Sequence, residues 1–310
     1  MKRTISLDIL KAILSLFVVF THSHYATSIS DSSIFPYLID MAVPCFIIMT
    51  SFFCAVSIDE GRYDIKTKIK NIALPFVFIV LFETVFRVFQ GLSIKHIIST
   101  FIFGEWGDGG YYPYILLQLY ILFPMLYKGI KKYKFIGICV FCIIDILFEL
   151  LTSLKHIPTS IHRILIIRYL GMLCSGILIH MYIKTINIKK ILCLLCCGIV
   201  IVYINNTFLK QSVFKYWNTT SLPVALYASA IILIFLKIND IIQKNKIIYY
   251  VSQFGRASYF VFIVQIIYYW LFRHLFGFSE PVFLISMLIC STLGYVYYIA
   301  FTKCIKKKTV

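Results

Sequence analysis

Charge is scarce in this chain and negative charge scarcer still: Asp, Glu, Lys and Arg make up 14% of 310 residues, with 13 acidic side chains against 30 basic ones. A soluble domain carries about a quarter of its residues charged, so a water-soluble globular enzyme is excluded. The chain also lacks a low-complexity linker, an internal repeat and a polar stretch long enough to form an appended soluble domain. Residues 1–310 therefore read as a single polytopic membrane domain. Ligand-like spacing around the cysteines is missing too. "CVFC" (Cys139, Cys142) and "CLLCC" (Cys193, Cys196, Cys197) lie inside apolar runs without histidine or further cysteine at zinc-site spacing, so they pack as small apolar residues and no metal is expected. Finally, the first apolar run has no small-residue cleavage site, is long for a signal peptide and is interrupted by Lys11, which makes it a retained helix.

What is abundant is apolar surface, at 60% of residues. Ten runs are long enough to cross a hydrocarbon core of about 30 Å: 7–29, 37–57, 72–90, 111–127, 135–153, 164–183, 190–208, 222–238, 247–272 and 281–302. The expected class is an all-α integral membrane protein of about ten transmembrane helices. The Ser-rich segment 28–33 and "GEWGDGG" (104–110) read as outer loops. The net charge of +17 comes in short clusters between apolar runs, the pattern of cytoplasmic membrane loops rather than of a nucleic-acid surface. Alternating the loops puts roughly 20 of the 30 basic residues inside and about 6 outside, so both termini are expected in the cytoplasm.

Ionisable groups inside such runs are costly and mark function. "LDILKAILSLFVVFTHSHY" (7–25) carries Asp8, Lys11, Ser15, His22 and His24. With 3.6 residues per turn, Asp8, Lys11, Ser15 and His22 form one stripe, while His24 is turned roughly 200° from His22. In a helix reaching residue 29, His22 lies about seven residues from the outer end. Glu83 and Arg87, Gln118, Asp145 and Glu149, Arg168 and Gln265 fall at similar outer depth in their own runs, which implies a polar cavity opening outward. Asp8, Lys11 and Arg256 make an inner layer suited to a phosphate-bearing ligand arriving from the cytoplasm. Plainer readings stand beside these. Asp8 and Lys11 also suit an i,i+3 interfacial anchor, Glu83 with Arg87 and Glu149 with Arg168 suit structural ion pairs, and His22 suits an interhelical hydrogen bond.

An imidazole of ordinary pKa takes a proton from a hydroxyl near neutral pH, which makes acyl transfer from a thioester natural, with an arginine at the developing oxyanion. The sequence resembles the membrane acyltransferase-3 family. Its opening pattern of Asp, a basic residue three positions on and a His ending "VVxxH" is matched by Asp8, Lys11 and "VVFTH" ending at His22, with Lys where Arg is more usual. "AVPCFIIMTSFF" (42–53), "KTKIKNIALPF" (66–76), "GYYPYILLQLYILFPML" (110–126) and "FGRASYFVFIVQ" (254–265) are similar to further family segments in the same order. "KTKIKNIALPF" looks like the family's basic loop before a Pro-initiated third helix, and Gln265 stands where His is frequent.

The resemblance implies a catalytic His22 and a role for Lys11 toward the donor, acetyl-CoA; by their depth, Arg256 is expected to help hold the donor and Asp8, Glu83, Arg87, Gln118, Glu149, Arg168 and Gln265 to support the cavity. It implies transfer of acetyl to a hydroxyl of a surface polysaccharide or lipid-linked saccharide, in the plasma (inner) membrane of a bacterium. The expected partners are membrane lipid, the glycan acceptor and acyl-CoA, and no nucleic acid. The chain ends at "KCIKKKTV", without the hydrolase-like domain that larger family members carry, which favours direct modification of the glycan. The rival expectation is a glycan transporter or export component that performs no acyl transfer.

Overall fold

In the computed structural model the described residues are 4–22, 39–107, 109–209, 213–214, 217, 220–242, 246–276 and 283–307. Among them every regular element is helical. Chain contacts divide the fold into two compact units, one drawn from Met1–Asp31, Lys70–Pro113 and Ile238–Val310, the other from Ser32–Ile69 and Tyr114–Lys237.

The first unit is built on α1 (Ile5–Thr21), most of α3 (Ile65–Phe89), α4 (Ile94–Phe103), α11 (Asn239–Ile242), α12 (Lys246–Arg256), α13 (Ser258–Phe276) and α14 (Phe283–Lys307). Its centre is a buried cluster of Val19, Val261, Tyr269 and Cys290. α1 packs against α12, α13 and α14. A Cβ placed on Gly255 would sit 1.6 Å from the Asp8 carbonyl oxygen, so only glycine lets α12 lie this close to α1. Gly255→Ala is therefore expected to destabilise the protein by about 1–3 kcal/mol, as an overpacked contact does. Thermal unfolding of the purified chain in detergent checks this, and an unchanged midpoint would contradict it.

The third helix begins well before the proline expected to start it. Asp64 caps it, accepting from the Lys66 and Thr67 amides and from the Thr67 hydroxyl at 2.5 Å. That hydroxyl holds the Asp64 carboxyl below the usual carboxylate range. The basic segment expected as a loop, Lys66, Lys68 and Lys70, is therefore helical. Pro75 sits inside α3 and contributes no amide proton to the helix. Nearby carbonyls gain outside donors, Tyr259 at Ile72 (2.9 Å) and Tyr297 at Pro75 (3.2 Å), which is how proline is accommodated in apolar surroundings.

The second unit holds α2 (Ala42–Asp59), nearly all of α5 (Tyr112–Tyr133), α6 (Phe135–Ser153), α7 (Thr159–Ile164), a 3₁₀ turn (Ile166–Tyr169), α8 (Leu170–Tyr182), α9 (Ile188–Ile204) with a π turn after it (Asn205–Leu209), and α10 (Val224–Lys237). α2 and α8 form its closest pair. Gly176 permits it, since a Cβ there would lie 2.4 Å from the Ile48 carbonyl, and Ser51 donates across to Leu173 O at 2.6 Å. At the end of α2, Asp59 takes Tyr127 Oη (2.7 Å), Lys131 Nζ (2.8 Å) and His180 Nε2 (2.9 Å). A carboxylate at a helix C-terminus opposes the dipole, and these partners from α5 and α8 offset that cost.

Six helices among the described residues are long and apolar enough to cross a membrane, or seven when α12 and α13, bent by 59° at their junction, count as one span. The chain is thus a multi-pass helical membrane protein. The difference from ten runs has local causes. Tyr112–Ser153 passes as one stretch of 42 residues, about 63 Å of helix, but Lys134 at φ 48 breaks it into α5 and α6. Ile166–Tyr182 is short because extended Leu165 separates it from α7. The first helix stops at Thr21 instead of running to 29, so its 17 residues span about 26 Å.

Candidate functional site

Stopping α1 at Thr21 changes the account of His22. It is not buried seven residues inside a helix; it is the C-cap, with φ −93 and ψ −1 and its own amide bonded to Phe20 O. Carbonyls in the last turn of a helix need outside donors. Val19 O receives one from Tyr269, whose hydroxyl lies 2.7 Å away and whose ring is 1% exposed. The His22 imidazole is set against that ring, 6.2 Å between centroids and tilted by 57°. The end of α1 and the imidazole are thus both positioned by α13. His24 and the Ser-rich segment 28–33 lie outside the described residues.

One turn before Tyr269 on α13 is Gln265, fully buried, with neither amide atom hydrogen-bonded among the described residues. An unmet buried amide is costly unless a ligand or water meets it. The next residues of α13, Ile266 and Trp270, face the loop after α4 and α3: Ile266 Cγ2 would lie 2.7 Å from a Cβ on Gly107, and Trp270 meets Phe86 edge-on at 5.0 Å. On α3, Glu83 and Arg87 are paired at 3.3 Å. Glu83 is fully buried, and its Oε1 has no hydrogen-bond partner among the described residues. Arg87 also reaches Thr100 Oγ1 and Glu105 O, both at 3.5 Å, approaches His96 Nε2 at 3.4 Å, and lies over the buried Trp106 ring at 5.6 Å.

Near the other end of α1, Lys11 Nζ lies 3.4 Å from Asp8 Oδ1. Arg256 follows Gly255 in the tight α1–α12 contact, bonds Gln253 Oε1 at 3.0 Å and lies over the Tyr298 ring at 5.9 Å. The first unit therefore brings Asp8, Lys11 and Arg256 to packed elements at one end of α1, and His22 with Tyr269 to the other.

The remaining residues named from the sequence belong to the second unit. Glu149 and Arg168 approach at 3.8 Å, as an ion pair expects, but the shorter contact is His162 Nε2 to Glu149 Oε2 at 3.0 Å. His162 stacks on Phe148 at 5.6 Å, and Arg168 donates to Thr220 Oγ1 at 2.9 Å. Asp145 accepts from the Gly171 amide at 3.0 Å. Gln118 serves backbone: the extended Leu165 interrupts the helix, and Gln118 donates to Ile164 O (2.6 Å) while accepting from the Ile166 amide (3.1 Å).

Sequence reasoning missed Tyr269, Trp106, His96 and His162. Tyr269 is one of 22 tyrosines and His162 sits in a six-residue helix, so neither carries a local signal. Trp106 had one, a lone tryptophan between glycines in "GEWGDGG".

Comparisons of the chain with curated proteins and with solved structures find no match. A family model described as an acyltransferase domain matches residues 4–300, a span that takes in His22, Tyr269, the Glu83–Arg87 pair and the Glu149 cluster. Nearly the whole chain is covered, and it belongs to the acyltransferase-3 family.

Proposed function

We propose that this membrane acyltransferase is an O-acetyltransferase that moves acetyl from acetyl-CoA to a hydroxyl of a bacterial surface polysaccharide or lipid-linked saccharide. In this reading it works in the plasma membrane through about ten spans, with both termini cytoplasmic, and no metal takes part. His22 acts as general base toward the acceptor hydroxyl or as a transient acyl carrier. Lys11 and Arg256 meet the charged part of the donor, with Asp8 fixing Lys11. Within the first unit Arg87, buttressed by Glu83, lines the acceptor side with Gln265; within the second, Arg168, buttressed by Glu149, and Gln118 play the supporting part.

The reading is carried by one observation: in an acyltransferase-3 chain, the His22 imidazole stands beside Tyr269, one helical turn from a buried amide whose hydrogen bonds are unmet among the described residues. A sugar hydroxyl offers the donor and acceptor that such an amide takes, and it would arrive next to a base.

The test uses membranes containing the full chain, acetyl-labelled acetyl-CoA and the host polysaccharide. Label is expected in the polysaccharide, removable by mild alkali as an ester is, with free CoA released in equal amount. Movement of unmodified polymer without release of CoA would overturn the reading in favour of a transporter.

A further inference from the structure

A cavity of about 340 Å³ lies within the second unit, walled by α8, α9 and α10 and lined by none of the candidate site residues described above. Its volume is within the usual range of ligand pockets, about 300–1,000 Å³. The wall is aliphatic, with Leu178, Ile179, Leu194, Leu226 and Leu233 prominent. The serine and threonine hydroxyls that reach it are already engaged, Thr185 by donating to Tyr182 O at 3.0 Å. Ser175 donates to Gly171 O at 2.9 Å and Ser229 to Ala225 O at 2.6 Å, each within its own helix. No polar group of the deep wall thus asks for a ligand's hydrogen bond.

The mouth differs. Lys237 Nζ is fixed on Ile183 O at 3.1 Å, which places the last turn of α10 beside the end of α8. Lys190, exposed in the first turn of α9, lines the same end. Lys184 and Lys189 stand exposed on either side of the turn between α8 and α9. From Ile183 back to Ser175 the wall runs about 12 Å along α8, so the cavity has an apolar depth and a basic rim. α9 and α10 belong to stretches long and apolar enough to cross a membrane, and Leu226 of the wall is itself exposed, which suits hydrocarbon as the medium beside this wall.

We infer that this cavity binds one acyl chain of an anionic phospholipid, with the phosphate held by Lys190 at the rim. Charge and depth argue together. A basic pocket between membrane helices selects a negative headgroup, and an aliphatic depth without unmet polar groups accepts only an alkyl chain. A neutral apolar molecule would leave the lysine rim unused, and a free phosphate would leave the depth empty.

The test uses the full chain purified in detergent, delipidated, and given phosphatidylglycerol or phosphatidylcholine with identical tails. Native mass spectrometry reads the lipid retained. Wild type is expected to retain phosphatidylglycerol over phosphatidylcholine, and Lys190→Met to reduce that preference about fivefold, the worth of one basic side chain at a membrane surface, phosphatidylcholine being affected less because its choline cation offsets the phosphate charge. Leu226→Trp, at a partly exposed position of the deep wall, is expected to lower retention of both lipids. Elution and unfolding midpoint control for folding. Should Leu226→Trp fail to fold, Lys190→Met decides alone, since its side chain is exposed. Equal retention of the two lipids by wild type, or an unchanged preference in Lys190→Met, would overturn the inference.

Discussion

His22→Ala is expected to remove acetylation of the surface glycan while leaving the protein inserted and folded. A positioned general base contributes about 10²–10⁴-fold, and loss of a covalent carrier would cost at least as much, so residual activity should fall below about 1%. The fold should tolerate the change because the end of α1 has another fastening. Tyr269 supplies it, through its bond to the Val19 carbonyl, and alanine leaves the bond in place. Proton NMR of O-acetyl groups on polysaccharide from a deletion strain, complemented at matched membrane levels, measures the effect. His24→Ala should retain most activity. Acetylation by His22→Ala equal to that by wild type would remove the imidazole from the mechanism.

Glu149→Ala should be among the most destabilising single changes in the second unit. Arg168 keeps its charge at any accessible pH, and its side chain is only 4% exposed beside a fully buried carboxylate. Removing Glu149 takes the carboxylate from beside both Arg168 and His162, and breaking a buried pair in this way costs about 3–5 kcal/mol. Glu149→Gln keeps the shape of the side chain and a polar oxygen beside His162 and should cost less. Thermal unfolding in detergent separates the two variants. A Glu149→Ala midpoint within a degree of wild type would show that the cluster does not hold α6, α7 and the 3₁₀ turn together.

These expectations differ in how far they were legible beforehand. The Asp8–Lys11 and Glu83–Arg87 pairs follow from helical spacing, because residues three and four apart share a face wherever the helix lies. Glu149 with Arg168 could be suggested by similar depth, but the nearer partner, His162, could not. The order and spacing of the motifs from Asp8 to Gln265 pointed to the acyltransferase-3 family, and the match over residues 4–300 shows it. Helix ends were harder to read. Hydropathy carried the first helix on to residue 29 and started the third at 72, whereas capping ends the one at Thr21 and starts the other at Ile65. Apolarity reports what hydrocarbon tolerates; backbone hydrogen bonding sets where a helix starts and stops.

Composition and periodicity alone were enough for a helical membrane protein and for the helix faces that carry charge, while the family was legible only through the resemblance of its motifs in their order. The first two depend on averages over many residues or on neighbours within a turn or two. The tertiary structure alone decided that Tyr269 would secure the end of α1 beside His22, that Gln265 would be buried with its amide unmet among the described residues, that Gln118 would mend the break at Leu165, and that α8, α9 and α10 would line a cavity with Lys190 at its mouth. Each of these depends on groups far apart in the chain, and only the packing of side chains against one another brings such groups within hydrogen-bonding distance.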